Sequence, residues 1–108
     1  MTPEQRYELL VTSILAKSRS ARICEGRGFG STGQLKVRGK IFAMLVKGKL
    51  VVKLPSERVD SLVAEGEGER FEPGTGRKMR EWLTLSSTST QQWHALANEA
   101  MRFVEGRE

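Results

Sequence analysis

The sequence is poor in the side chains that build disulfides and metal centres. Its 108 residues contain one cysteine, Cys24, and one histidine, His94. A lone cysteine excludes an internal disulfide, and so few soft ligands, so far apart, argue against a structural zinc site. This composition favours a protein that keeps a reduced thiol, and a cytoplasmic location is the expectation.

Long apolar runs are also missing. No stretch approaches the roughly 18–20 apolar residues that a membrane-spanning helix needs. The N-terminal letters MTPEQRYELL lack the basic and apolar regions of a signal peptide. At this length the expectation is a single domain, residues 1–108, with one hydrophobic core and no membrane contact.

Positive charge is abundant and unevenly placed. The segment from Lys17 to Lys53 holds ten Lys or Arg against Glu25, whereas the segment from Glu57 to Glu72 holds six acids against two arginines. A basic half beside an acidic half is typical of a chain that binds an anionic partner or associates through opposite patches. Lysines that protect the edges of a sheet would produce the same pattern, so both interpretations stay open.

Three segments carry the start and stop signals of helices. Residues 2–5 predict a helix start, with a threonine N-cap, a proline at the first helical position and a glutamine that closes a capping box. A second helix is predicted from a cap at Ser56 to a stop at Gly66, and a third after a capping box of Ser89 and Gln92. Apolar residues recur at helical spacing in each: Tyr7, Leu10, Val11, Ile14 and Leu15; Val59, Leu62 and Val63; Trp93, Leu96, Ala97, Ala100, Met101 and Val104.

The middle of the chain predicts antiparallel strands. The stretches QLKV, KIFAMLV and KLVVKL are separated by Arg38-Gly39 and Lys47-Gly48, pairs that suit two-residue hairpin loops. Two more strands are predicted in ERFEP and KMREWLTLS, joined around residues 73–76. The predicted fold is a two-layer α+β domain of order α-β-β-β-α-β-β-α with a five-stranded, mainly antiparallel sheet.

Two-residue loops would assign the strand residues to two faces by counting. The face beneath the helices would carry Ile41, Ala43, Leu45, Leu50, Val52 and Leu54, with Lys36 at its rim. The other face would have an apolar centre framed by Lys40, Lys49 and Lys53, which is typical of an interface. That candidate interface consists of Leu35, Val37, Phe42, Met44, Val46 and Val51. A symmetric homodimer or a partner site is predicted there, unless another segment of the chain covers it.

The glycine-rich letters GFGSTG, residues 28–33, match the G-x-G-x-x-G pattern of nucleotide-binding loops. A dinucleotide loop needs a strand before it and a helix after it. Here a helical or irregular segment is predicted before the glycines and a hairpin after them. A kinase loop needs a lysine on the following strand and later H-R-D and D-F-G triplets, which this sequence lacks. No nucleotide cofactor is therefore expected, and the glycines are interpreted as a turn into the first strand of the hairpin.

No catalytic or metal-binding constellation is complete in the sequence. Neither a Ser-His-Asp set nor a Cys-His pair has a supporting motif around it, and His94 is predicted to be exposed or half-buried. The EGEGE run, residues 65–69, is interpreted as a solvated helix exit rather than a metal site. Trp82 and Trp93 lie in apolar periodic patterns that are typical of a core. The expectation is a non-enzymatic protein without metal or cofactor.

Direct binding of nucleic acid through the basic segment 17–53 is the alternative function. Lys36, Arg38 and Lys40 are the candidate anion or nucleic-acid contacts on this interpretation, because phosphate neutralisation by Lys and Arg supplies most of non-specific affinity. No sequence signature of an RNA- or DNA-binding module accompanies these residues.

A longer ordered pattern runs from Phe29 to Leu85: FGSTGQLKVRGKIFAMLVKGKLVVKLP, followed by SERVDSLVAEGEGERFEPGTGRKMREWLTL. This pattern resembles the N-terminal domain of the TfoX/Sxy family, and Trp93 with its helix extends the resemblance. The resemblance implies a two-layer α+β domain similar to the secretion-chaperone and MmcQ/YjbR-like folds. Members of that family are bacterial regulators of natural competence that act on transcription through protein partners, and no catalytic residues carry over.

The sequence departs from the family pattern in two respects. The competence regulators continue into a second, helical domain that these 108 residues do not contain, and Gly28 stands where many relatives have methionine. The resemblance therefore implies a small bacterial regulatory or adaptor domain that acts by protein binding.

Overall fold

The computed structural model describes residues 2–17, 21–24, 34–72, 80–85 and 90–106 of the chain. The helices are α1 (Pro3–Lys17), α2 (Ser56–Ala64) and α3 (Thr90–Glu105). The strands are β1 (Ala21–Cys24), β2 (Gln34–Val37), β3 (Lys40–Val46), β4 (Lys49–Lys53), β5 (Gly68–Arg70) and β6 (Trp82–Leu85). None of the helices in these ranges combines the length and the apolar character needed to cross a bilayer.

The predicted two-layer α+β architecture is confirmed. The three predicted helices and the five predicted strands occur in the predicted order. Strand β1 is an addition, because its residues were predicted to be helical or irregular. It pairs antiparallel with β2 from Ala21↔Val37 to Cys24↔Gln34. Pairing with β2 gives its backbone the hydrogen bonds that a four-residue segment cannot make by itself.

The sheet has the spatial order β1-β2-β3-β4-β6-β5, and every neighbouring pair is antiparallel. Strands β2, β3 and β4 form a meander. The chain then crosses through α2, and β6 inserts between β4 and β5. Strands β1 and β5 are therefore the two edges among the described strands. The predicted turn around residues 73–76, between β5 and β6, lies outside the described residues.

The local signals at the start of α1 act as predicted. The Thr2 backbone N–H donates to Gln5 Oε1 at 2.9 Å, and the Gln5 backbone N–H donates to Thr2 Oγ1 at 3.1 Å. This reciprocal pair is a capping box that satisfies two donors at the helix start. The corresponding box predicted for α3 uses Ser89, which lies outside the described residues.

Helix α2 begins one residue away from the predicted cap. The N-cap is Pro55, which makes no side-chain cap hydrogen bond, and Ser56 is the first helical residue. Its C-terminus ends as predicted at Gly66, which has a φ of +79°. The backbone N–H groups of Gly66 and Glu67 donate to the carbonyls of Val63 and Leu62. These two bonds form a Schellman motif, whose left-handed residue favours glycine.

Both hairpins of the meander turn through two residues, as predicted. Arg38 and Gly39 have φ of +53° and +79°, and Lys47 and Gly48 have φ of +50° and +78°. Positive φ at both central positions defines the type I′ turn, whose twist matches that of the flanking strands.

A β-bulge interrupts the register between β2 and β3. Lys36 pairs with Ile41 and Leu35 pairs with Ala43, so Phe42 has no partner across the ladder. An extra residue in one strand changes which side chains share a face beyond it. Counting from the turn alone therefore assigns β2 and the start of β3 to the wrong faces.

The main core lies between the helices and one face of the sheet. Each helix contributes the stripe predicted for it, with Val11, Leu15, Val63 and Met101 only partly buried at its margin. The buried sheet residues of this core are Leu35, Val37, Phe42, Ala43, Leu45, Leu50, Val52, Leu54, Leu83 and Leu85. All three helices therefore lie on the same side of the sheet, which leaves the opposite face without a helical layer.

Candidate functional site

The face of the sheet that points away from the helices is the candidate site, and we call it the outer sheet face. Its members alternate along each strand with residues of the main core and pair with one another across the strands. They are Gln34, Lys36, Ile41, Met44, Val46, Lys49, Val51, Lys53, Glu69, Phe71, Trp82 and Thr84.

The centre of the outer sheet face is a second, smaller hydrophobic cluster. Met44, Val51 and Phe71 are 5%, 0% and 8% exposed, and Val46 and Trp82 pack against them half-buried. Met44 and Val51 face each other across β3 and β4. Phe71 reaches the cluster because its backbone N–H continues the β5–β6 ladder by donating to the Trp82 carbonyl. The apolar contact surface of this face is therefore its rim, at Val46 and Trp82.

Lysines frame that apolar centre. Lys49 is exposed at one end of β4, and Lys53 is half-buried at the other end. Lys36 stands between two core residues of β2 and so projects from the outer sheet face. The Lys53 ammonium lies 5.6 Å from the centroid of the Trp82 ring, within the range of a cation–π contact. In the described part of the chain, no carboxylate forms an ion pair with any of these lysines.

Half of the predicted interface is in the wrong place. Leu35, Val37 and Phe42 are fully buried in the main core beneath the helices, not on the opposite face. The bulge at Phe42 is the reason, because it places Phe42 and Ala43 in the same core. The remaining predicted residues, Met44, Val46 and Val51, do lie on the outer sheet face.

Counting predicted an interface with an open apolar patch, whereas the centre of the observed face is buried. Two of the three remaining residues, Met44 and Val51, are buried within their own chain. Of the three residues on which the predicted dimer was centred, Phe42 is fully buried under the helices and Met44 is buried on the outer sheet face, so only Val46 is accessible.

The candidate anion contacts do not form one cluster. Lys36 and Lys40 project from opposite faces of the sheet. Paired residues share a face, and Lys36 pairs with Ile41 of the outer sheet face, whereas Lys40 pairs with the core residue Val37. Counting from the turn had placed Lys36 on the face beneath the helices and Lys40 on the opposite face, so both assignments were wrong. Arg38 is exposed in the turn between them. Lys36 alone therefore contributes to the outer sheet face.

The glycine motif at residues 28–33 lies outside the described residues, but both flanking elements are described. Strand β1 precedes it, which corrects the expectation of a helical or irregular segment there. Strand β2 follows it and pairs antiparallel with β1. The segment thus connects two strands, and no helix N-terminus follows to receive a phosphate.

Trp82 is a site residue that the sequence analysis assigned to the core. Trp93 is in the main core at 1% exposure, as predicted, whereas Trp82 is half-buried on the outer sheet face. The signal was present in the alternation of β6, where Leu83 and Leu85 are both buried in the main core. In a strand, Trp82 must point to the other side.

Outside the outer sheet face, two polar side chains of α1, Tyr7 and Arg6, make contacts with other elements of the fold. Burial raises the pKa of the Tyr7 phenol, and a hydrogen bond from the Leu35 backbone opposes that rise. The Arg6 guanidinium lies 5.4 Å from the centroid of Trp93 and connects α1 to α3. His94 is half-buried, as predicted. Tyr7 thus connects α1 to β2 of the sheet, and Arg6 connects α1 to α3.

The glutamates of residues 65–69 diverge. Glu67 accepts a hydrogen bond from Gln92 of α3, whereas Glu69 belongs to the outer sheet face. Within the ranges that the structure covers, no three potential metal-ligating side chains come together. The EGEGE run therefore joins α2 to α3 and to the sheet through separate contacts.

No family model, curated protein or solved structure matches this chain. The candidate site is therefore defined by its own geometry. It consists of a small apolar centre, a half-buried tryptophan and three lysines that pair with no carboxylate among the described residues.

Proposed function

We propose that this chain is a small, non-enzymatic regulatory or adaptor domain that acts by binding another protein. The observation that carries the proposal is the outer sheet face, on which an apolar centre is framed by charged groups. Interfaces commonly combine an apolar centre with a polar rim. The helices cover only the opposite face of the sheet, so the half-buried rim residues Val46 and Trp82 and the lysines around them remain accessible to a partner.

The rest of the described chain supports a binding role over a catalytic one. Apart from Tyr7, no titratable side chain whose burial the structure describes is buried. Active sites usually hold desolvated titratable groups close to one another. Among the described residues, a large pKa shift is found for the Tyr7 phenol, whose pKa is raised by burial. That phenol is bound to backbone within the core, where it serves packing.

The resemblance to the N-terminal domain of the TfoX/Sxy family supports the same role. Regulators in that family act through protein partners, and the residues that carry the resemblance include most of β3 and β4. On this proposal the chain is a bacterial, cytoplasmic adaptor whose outer sheet face receives its partner.

Partner capture with matched variants tests the proposal. Val46→Asp places a charge at the half-buried rim of the outer sheet face, and Leu9→Asp places the same charge on α1. Leu9 is the control because it is 50% exposed and lies in the helical layer. Both variants should fold, as judged by circular dichroism and thermal melting, because neither site is fully buried.

We expect cross-linking and affinity capture from the source cell to recover the same partner with wild type and Leu9→Asp. Val46→Asp should lose that partner. Recovery of no specific partner, together with turnover of a small-molecule substrate, would contradict the proposed function. Loss of the partner in Leu9→Asp alone would place the binding surface on the helical layer instead.

A further inference from the structure

We propose that the outer sheet face binds an extended, acidic protein segment in which two carboxylates flank one apolar residue. This inference rests on the proposed protein-binding function and names the chemistry of the partner. It follows from the excess of lysines over carboxylates on the outer sheet face and from the spacing of two of those lysines along β4.

Two described ion pairs lie on the helical side of the sheet, although Lys17 and Arg102 of the helices have no described carboxylate partner. Arg58 of α2 forms an ion pair with Glu99 of α3, with Nε and Oε2 2.9 Å apart. Arg70 projects to the helical side and pairs with Asp60. On the outer sheet face, none of the three lysines pairs with a described carboxylate. Positive charge that is left unpaired around an apolar centre is complementary to an acidic partner.

The spacing of the two carboxylates in the partner follows from the lysines of strand β4. Lys49, Val51 and Lys53 follow one another at every second residue, so all three project from the outer sheet face. At about 3.3–3.4 Å per residue, the two lysines stand roughly 13 Å apart along the strand. An extended segment with the pattern acid-x-apolar-x-acid has the same spacing. Its central side chain would lie over Val51, between the half-buried Val46, which pairs with Lys49, and the half-buried Trp82, which pairs with Lys53.

A second copy of this chain fits the face poorly. The outer sheet face carries one carboxylate, Glu69, for three lysines. Face-to-face packing of two copies would therefore leave two of every three ammonium groups unmatched.

Nucleic acid fits the face less well than an acidic peptide. Single-stranded binding uses open aromatic rings on which bases stack. Trp82 is the single half-exposed ring on the described outer sheet face, and the Lys53 ammonium lies over it. The alternative function through segment 17–53 is therefore an outcome of the test below.

The test is a selection from a random peptide library displayed on phage, with the full chain as bait. The charge variant is Lys49→Glu with Lys53→Glu. Its matched control is Lys47→Glu, because Lys47 is an exposed lysine beside Lys49 that lies in the turn. Selected peptides are synthesised, labelled and measured by fluorescence anisotropy, and an oligothymidylate strand is measured in parallel.

We expect the selected peptides to carry acids at positions i and i+4 with an apolar residue at i+2. Binding to the charge variant should weaken by about tenfold or more, because two attractive rim contacts become repulsive. Lys47→Glu should bind as wild type does within about twofold. A peptide with lysines in place of its acids should recover affinity for the charge variant.

Four results would overturn the inference. They are enriched peptides without acids, equal binding to the charge variant, no enrichment at all, and sedimentation of the wild type as a dimer that Val46→Asp dissociates. If no peptide is enriched but Val46→Asp still loses a cellular partner, the proposed function stands and the partner chemistry is wrong. If oligothymidylate binds in a Lys49- and Lys53-dependent way and no protein partner is found, both are wrong.

Discussion

Phe42 and Phe71, the two phenylalanines that are buried among the described residues, provide a direct test of the bulge and of the faces it creates. Phe42 is fully buried in the main core, whereas Phe71 is 8% exposed in the small cluster of the outer sheet face. We expect Phe42→Ala to destabilise the fold far more than Phe71→Ala. Both variants remove the same phenyl ring, so any difference between their losses in unfolding free energy reflects the surroundings of each ring.

The expected magnitudes follow from those surroundings. Removing a ring from a closed core loses its transfer free energy and leaves a cavity, at a total of about 3–5 kcal/mol for phenylalanine. At Phe71 solvent can refill the space from the open side, which leaves chiefly the transfer contribution of roughly 1.5–3 kcal/mol. For a domain of this size, a difference of about 2 kcal/mol corresponds to roughly 8 °C or more in Tm.

Urea unfolding followed by tryptophan fluorescence measures both variants against wild type. A loss of 3–5 kcal/mol is a large part of the about 5–15 kcal/mol that stabilises a typical domain. If Phe42→Ala does not fold, Phe42→Leu and Phe71→Leu provide the same ranking at lower cost. Equal losses at the two positions would mean that Phe42 lies on the outer sheet face, and the observed register would be refuted.

Three further predictions concern the backbone and the titratable core. Gly68→Ala should cost about 1–3 kcal/mol in urea unfolding, because a Cβ there would stand 2.4 Å from the Thr84 carbonyl oxygen; a loss below about 0.5 kcal/mol would contradict the close β5–β6 approach. Lys47→Asn should stabilise the fold by about 0.5–1 kcal/mol in the same assay, since asparagine tolerates the positive φ of this turn better than lysine, and a destabilised variant would contradict the turn geometry. Because the pKa of Tyr7 is raised from about 10, its contribution to stability is complete below pH 10 and is lost as the pH rises above that value. Tyr7 is the only tyrosine, so tyrosinate absorbance should increase together with alkaline unfolding, and Tyr7→Phe should weaken this pH dependence; a titration near pH 10 in the folded chain would refute it.

Features decided by neighbouring residues were predictable from the sequence. The capping box of Thr2 and Gln5, the stop at Gly66 and the two type I′ turns depend on contacts within a few residues. The helical stripes were predictable for the same reason, since a period of 3.6 residues places their members on one face. Together these signals were sufficient for the α+β class and for the order of the predicted elements.

The candidate site could be predicted only in part. Met44, Val46 and Val51, with Lys49 and Lys53, follow β3 and β4 outward from a regular turn, so counting places them correctly. Trp82 was missed because an apolar neighbourhood in sequence does not say which face of a strand points inward. Its place beside Lys53 depends on β6 pairing with β4, and 28 residues separate Lys53 from its partner Trp82 along the chain.

Three features of the fold depend on tertiary contacts alone. Strand β1 exists because β2 offers an unpaired edge, and β6 lies between β4 and β5 because it pairs with both. The bulge at Phe42 has the largest consequence for the site. A turn of two residues is compatible with a regular ladder or a bulged one, so local sequence leaves the choice open. Tertiary packing selects the bulged ladder, because burying Phe42 beside Ala43 under the helices removes a large ring from water. The bulge makes this possible by leaving Phe42 without a partner in the β2–β3 ladder.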